Sequence, residues 1–213
     1  TDECYSHFSE PVIIGLKPPY CYELNEKNKE LILEQIKEEL DKIFTPIFTT
    51  SYTEKPIKKN VVIIILESFG DENLRQGYTP FVDSLITESY YFKNGFANGK
   101  VSIDAVPSTL SSIPSLLNNS LISTSYSLNE VYGLPKIMKN QGYDTSFFHG
   151  AFNGSQNFDQ YCKVAGFNRY YGKDQYVGPE AFDGKWGIFD EEFMQFYSTQ
   201  LAAFKQPFFS TIF

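Results

Sequence analysis

Val61-Val62-Ile63-Ile64-Ile65-Leu66-Glu67-Ser68-Phe69 decides the fold of this chain. Its first six residues are apolar and mostly β-branched, which reads as a strand covered on both faces, the kind found inside a parallel sheet. Outward from it, helix-length and strand-like segments alternate. A helix is expected over Thr79–Ser89, with Thr79 as cap and Pro80 in the first turn. A short strand follows at Tyr90–Lys93. The stretch Ile103–Leu117 reads as helical, although Pro107 and Pro114 must kink or break it unless they lie in first turns. Further on come a helix over Glu130–Asn140 stopped by Gly142, a strand over Tyr143–His149 and a helix over Gln156–Ala165 stopped by Gly166. A longer helix over Ile188–Phe204 leads to an apolar strand over Pro207–Phe213. The alternation predicts an α/β fold with a mostly parallel sheet sandwiched by helices. The sequence stops on a buried-type strand, so more sheet is expected to follow it.

Residues 1–59 have a different texture. They are irregular and punctuated by Pro11, Pro18, Pro19, Pro46 and Pro56. One amphipathic helix is expected over Glu26–Phe44, with Leu31, Ile32, Ile36, Leu40 and Ile43 on one face. The chain thus divides into an arm over 1–59 and the front of a larger domain over 60–213.

With 213 residues, 42% of them hydrophobic and 17% aromatic, the chain can bury a sizeable core. Its formal charge of -8 argues against nucleic-acid binding, which needs a cationic surface to displace phosphate counterions. No segment has the roughly 18 uninterrupted apolar residues of a membrane span. Cys4, Cys21 and Cys162 have no metal-ligand spacing. Cys4 and Cys21 are close enough in sequence to bridge, and three free thiols is an equally good reading.

The chemistry is expected at the carboxyl edge of the sheet, where ligands of such folds gather. Glu67 is delivered there by the strand before it. An unpaired carboxylate in such a place wants a cation or a strong donor, so on position Glu67 reads equally as a metal ligand or as the cap of the next turn. Downstream, Ala97-Asn98-Gly99-Lys100-Val101-Ser102-Ile103-Asp104 is a small-residue loop that opens a helix, with Ser102 placed as N-cap. A helix N-terminus favours anions, and a hydroxyl beside a metal there can be deprotonated to a nucleophile. His149, at the end of a strand, can face the site, but its position favours a satisfied structural histidine.

Taken in order, these stretches resemble a known family. LESFG ends the first strand, TPFVDSL lies on the next helix, and NGKVSIDAVPSTLSSIPSL follows. The likeness continues through Gly133-Leu134-Pro135, Gln141–Gly150, Asn157-Phe158-Asp159, Ala165-Gly166-Phe167, Lys185–Phe193 and Gln206–Phe209. Over about residues 60–213 the chain resembles the sulfatase / lipoteichoic-acid-synthase-like phosphoglycerol transferases of the alkaline phosphatase superfamily.

The resemblance implies a metal-dependent extracytoplasmic phosphoglycerol transferase or phosphodiester hydrolase. Its substrate would be a lipid-linked glycerol phosphate or a similar phosphodiester or sulfate ester. It implies a divalent metal ion, Mn2+ first, with Mg2+ or Zn2+ as alternatives. Glu67 matches the family's metal-ligating glutamate, and Ser102 matches the hydroxyl nucleophile, itself a metal ligand. The adjacent threonine position of the family holds Val101, so Ser108 and Thr109 are the fallback nucleophiles. Lys100 and His149 are candidate substrate contacts. Further Asp and His ligands would lie beyond Phe213, making the chain the front of a catalytic domain. The resemblance also implies transmembrane helices before the domain and a place on the extracytoplasmic face of a bacterial membrane. In the glycerol-phosphate contacts of lipoteichoic acid synthases, this chain has Ala151, Gln156 and Phe158 at the acid, Trp and Arg positions.

Two alternatives remain: a sulfuric ester hydrolase of the same superfamily, or a catalytically silent binding module on this fold. A formylglycine sulfatase is disfavoured, because neither Ser102 nor any cysteine begins the Cys/Ser-x-Pro-x-Arg maturation motif. A dinucleotide or P-loop site is set aside, since the turn after the first strand reads ESFGDEN without the required glycines.

Overall fold

The computed structural model describes residues 57–97, 99 and 101–213, together with Glu34 and Glu38. Glu34 and Glu38 are helical and exposed. The rest of the expected Glu26–Phe44 helix lies outside the described residues, as do Cys4 and Cys21. From Ile57 onward the residues form one compact unit.

Four strands make its sheet: β1 Val61–Ile64, β2 Asp144–Phe148, β3 Arg169–Tyr171 and β4 Phe208–Ile212. Their order is β1-β4-β2-β3, and all neighbours are parallel. Val61 lies opposite Phe209, Ser146 opposite Ser210, and Phe147 opposite Tyr170. Parallel neighbours need crossover connections, and here those connections carry helices: α1 Pro80–Thr87, α2 Ala105–Ser111, α3 Leu134–Asn140, α4 Phe158–Ala165 and α5 Asp190–Ala203. The parallel α/β expectation holds. The expectation that β1 is covered on both faces does not.

β1 is an edge strand among the described residues. Ile63 and Ile65 pack with Val61 against one core, whereas Val62, Ile64 and Leu66 are 43%, 49% and 51% exposed. Among the described residues, the two interior strands are buried on both faces: residues 145–148 of β2 and every residue of β4. For β4, its position between β1 and β2 does this, not its composition, since it contains Ser210 and Thr211.

Because strand side chains alternate, the sheet has two distinct cores. On one face Phe147 and Phe209 meet Val106 and Leu110 of α2 and Phe158 and Tyr161 of α4. On the other, Phe148, Phe208 and Ile212 meet Phe193, Phe196 and Tyr197 of α5. Aromatic rings dominate both. Phe148 stacks on Tyr171 at 4.3 Å and meets Tyr197 edge-on at 4.7 Å.

Several expected elements are shorter or differently bounded, each for a local reason. The Thr79–Ser89 helix is α1, with Pro80 at its first turn. Thr79 holds the cap position without a capping hydrogen bond and donates instead to Asn73 O at 3.3 Å. Tyr90–Lys93 is not a strand. Tyr90 and Phe92 are 98% and 83% exposed, and no described strand lies alongside to pair with them. The Ile103–Leu117 helix ends at Ser111, because Ser112 turns left-handed (φ 54°) ahead of Pro114. Pro107 sits in the first turn of α2, where its missing N–H is harmless. The Glu130–Asn140 helix starts only at Leu134, with Pro135 in its first turn. β3 has no counterpart in the sequence reading. No described helix is long and apolar enough to cross a membrane.

Candidate functional site

Glu67 comes directly off the end of β1, where Ile65 N donates to Ile212 O at 2.9 Å. It is exposed, and Ser68 Oγ donates to its Oε1 at 2.9 Å. Ser68 holds a left-handed backbone (φ 51°). That conformation is costly for a non-glycine residue and is concentrated at functional sites.

Ser102 opens a tight 3-10 turn, Ser102–Asp104, that leads into α2. Contacts along the helices show which edge of the sheet it faces. α4 starts beside the end of β2, with Phe158 packed on His149 at 4.9 Å. It finishes where Asn168 N donates to Thr145 O, near the start of β2. Val131 N donates to Val164 O at that lower end, and Gly133 abuts Leu110 O and Ser111 at the end of α2. α2 therefore runs antiparallel to the strands, with its N-terminal end at the carboxyl edge. The Ser102 turn packs beside the turn Leu121–Ser123, whose Ile122 O accepts from Asn157 Nδ2 at 2.8 Å, just ahead of α4. Glu67 and Ser102 thus both belong to the carboxyl edge.

Ser102 was expected as an N-cap, and the structure corrects this. Val101 holds the cap position of the turn, Asp104 that of α2, and no side-chain cap bond forms at either. The Ser102 hydroxyl is not spent on its own helix. Ser108, by contrast, donates its hydroxyl to Ile113 O at 3.0 Å, and Thr109 is exposed on α2. Lys100 lies outside the described residues.

His149 follows β2 at the same edge but is only 7% exposed. Its ring is packed edge-on by Phe158 and Phe213, and the Tyr170 hydroxyl lies 3.4 Å from Nδ1. Burial lowers its pKa to about 4, so the imidazole is neutral near pH 7. The same desolvation pushes the Tyr170 hydroxyl well above its ordinary value. Beyond His149, Gly150 O accepts from Ile188 N at 2.9 Å. This docks the loop in which Asp183 Oδ1 accepts the backbone N–H groups of Lys185, Trp186 and Gly187. Those bonds, that of Lys185 first, hold the Asp183 carboxyl below the usual range. Gln156 and Asn157 add two more left-handed residues near this edge, at φ 53° and 60°.

The sequence reading passed over one residue in this region. Asp104 is 6% exposed, and Ser115 Oγ donates to its Oδ2 at 2.9 Å. The available signal was an acid between Ile103 and Ala105-Val106, in a stretch that is otherwise apolar.

Among the described residues, no three His, Cys, Asp or Glu side chains gather as a metal cluster. Glu67 and Ser102 offer oxygen donors of the hard kind that divalent cations take, but such ions take about four or more ligands. These two residues can form part of a coordination sphere and cannot close one.

Comparison with known proteins gives a consistent result. The sulfatase family model matches residues 59–213. The chain is 31% identical over 172 residues to the lipoteichoic acid synthase of Staphylococcus saprophyticus, covering 72% of this chain and 25% of that protein. Among solved structures, it resembles a protein of the alkaline phosphatase superfamily from Vibrio parahaemolyticus, with a TM-score of 0.66 and 26% identity. That match covers 75% of this chain and 40% of that one. The fold is also that of a lipoteichoic acid synthase from Listeria monocytogenes, with a TM-score of 0.66 at 22% identity over 73% of this chain and 40% of that one. The chain spans about a quarter of the length of the curated relatives it matches.

Proposed function

The chain belongs to the sulfatase family, and on that premise we propose that it carries the nucleophile-bearing front of a metal-dependent phosphoglycerol transferase or phosphodiester hydrolase. The observation that carries the reading is the arrangement of Glu67 and Ser102. A carboxylate and a hydroxyl not used for capping are both delivered to the carboxyl edge, the first by an apolar strand and the second by the turn that opens α2. Likeness to lipoteichoic acid synthases supports a phosphoester as substrate and a lipid-linked glycerol phosphate as the leading choice.

Glu67 Oε and Ser102 Oγ are the donors this chain would offer to a divalent cation, with Mn2+ as first choice and Mg2+ or Zn2+ as alternatives. When bound, such an ion lowers the pKa of a coordinated hydroxyl and neutralises charge developing on phosphate oxygens. In the proposed first step Ser102 Oγ would attack phosphorus. A bond forms between Oγ and phosphorus, the bond to the leaving alkoxide breaks, and the hydroxyl proton ends on the departing alcohol. In a second step an alcohol or water oxygen bonds to phosphorus, the phosphorus–Oγ bond of the serine phosphodiester breaks, and the proton of the attacking hydroxyl ends on Ser102 Oγ. Lys100 and His149 are proposed near the substrate. For His149, the low pKa means a neutral ring that serves as a hydrogen-bonding group and not as a cation. The proposed location is the extracytoplasmic face of a bacterial membrane.

The test is turnover of a chromogenic phosphodiester by the full-length protein with added Mn2+. Wild type should turn over, Ser102→Ala should fall at least about a thousandfold, and Glu67→Ala should lose both metal and activity. Full activity in Ser102→Ala would move the nucleophile to Thr109 or Ser108. A wild type that neither binds metal nor reacts would overturn the enzymatic reading.

A further inference from the structure

Among the described residues, Asp104 is the only Asp or Glu that is buried. Burying a carboxylate is expensive unless donors surround it. Three pieces of chain meet around Asp104. Its own backbone closes the Ser102–Asp104 turn, with N–H donating to Val101 O at 3.1 Å. Its Oδ2 accepts from Ser115 Oγ at 2.9 Å. Ser115 is beyond the end of α2, and it comes back to the helix start because Ser112 turns left-handed and Ile113 folds back on α2. There Ile113 N donates to Pro107 O at 3.3 Å and Ile113 O accepts from Ser108 Oγ. On the third side lies Gly99. A Cβ built there would stand 2.5 Å from Asp104 Cβ and 2.6 Å from Oδ2, so the glycine backbone rests directly on this side chain.

We infer that Asp104 is the positioning residue of the nucleophile loop: its carboxylate clamps the Gly99 turn and the returning Ser115 segment onto the turn that carries Ser102. It touches no substrate. It fixes where Ser102 Oγ points by removing the freedom of the short loop on which that hydroxyl sits. The glycine at 99 is required by the same contact, since any side chain there collides with the clamp. This inference rests on Ser102 being the nucleophile only for its consequence in catalysis; the clamp itself is a property of the loop.

The experiment uses the full-length protein and two readouts. Hydrogen exchange is followed for peptides covering 99–104 and, as a control, for β4. Kinetics are followed on a chromogenic phosphodiester. In Asp104→Ala and Gly99→Ala, exchange across 99–104 should rise about tenfold or more with β4 unchanged, as expected for local opening. In both, kcat should fall about ten- to a hundredfold with KM within about twofold, the mark of a displaced reacting group. Asp104→Asn keeps the shape and an acceptor for Ser115, and should retain most of both properties. Ser115→Ala should show the same pattern more weakly, and serves if Asp104→Ala does not fold. Wild-type exchange in the Asp104→Ala loop, an equal rise in β4, or an unchanged kcat in a loosened loop would each overturn the inference. If the loop loosens as expected while wild type itself is inactive, the clamp stands and the proposed function is what fails.

Discussion

The hydroxyls of Ser146 and Ser210 meet at 2.8 Å across the β2–β4 junction, in a layer where both residues are fully buried. Two polar side chains at the centre of a parallel sheet are tolerated because each satisfies the other. Ser210→Ala should therefore be more damaging than its small volume change suggests, since Ser146 loses its partner. The expected loss is about 1–3 kcal/mol. The double variant Ser146→Ala/Ser210→Ala should recover part of it, as measured by urea unfolding.

His149 gives a pH dependence with a definite sign. Its pKa in the fold is about 4, below the ordinary value of about 6.5. Between these values the unfolded chain binds more protons than the folded one, so stability falls as pH drops from about 6.5 toward 4. At about 1.4 kcal/mol per unit the full effect is on the order of 3 kcal/mol. His149→Phe should remove this part of the slope when unfolding free energy is compared at pH 7, 5.5 and 4. An unchanged slope would show that the ring is protonated in the fold.

The two faces of β1 should respond differently to truncation. Ile63 packs on the core, whereas Ile64 is 49% exposed. Ile63→Ala is expected to cost about 2–4 kcal/mol, and Ile64→Ala about 1 kcal/mol or less, in this unit. Equal losses in thermal unfolding would mean that Ile64 is covered in the molecule being measured.

Gly133 occupies a position that no side chain can share. A Cβ there would lie 2.4 Å from Leu110 O, a backbone atom at the end of α2. Gly133→Ala must push α2 and α3 apart and should cost about 1–3 kcal/mol. A melting temperature within a degree of wild type would show that this junction has slack.

The same contrasts explain what the sequence could and could not tell. Alternation of apolar runs with helical periods gave the parallel α/β architecture and three of the four strands. Stops at Gly142 and Gly166 were legible because both residues take positive φ, 86° and 90°, which glycine alone adopts freely. β3 was missed because Arg169-Tyr170-Tyr171 is three residues long, and its apolar character lies in tyrosines whose burial only the fold supplies. The Val61–Leu66 run was read as covered on both faces because an apolar run records what a strand tolerates, not which neighbours it has. At the proposed site, Glu67 and Ser102 were singled out by their place at the end of a strand and the start of a helix, taken together with the family resemblance. Asp104 was not, because its meaning depends on Ser115 folding back to meet it and on Gly99 resting against it. Neither contact has a periodic signature.

The strand order has a consequence in time. β4 is the last of the four strands along the chain and yet sits in the middle of the sheet, with β1 on one side and β2 on the other. Asn60, which accepts a hydrogen bond from Phe208 N, does so across 148 positions of sequence. As the polypeptide leaves the ribosome, β2 and β3 can join early. β1 waits for a neighbour until nearly all of the described chain has been made. During that wait its apolar edge, and the stretch that leads to Glu67, are open to whatever else is nearby. The carboxylate proposed as a metal ligand is thus set in place only once β4, the last of the described strands, has docked beside β1.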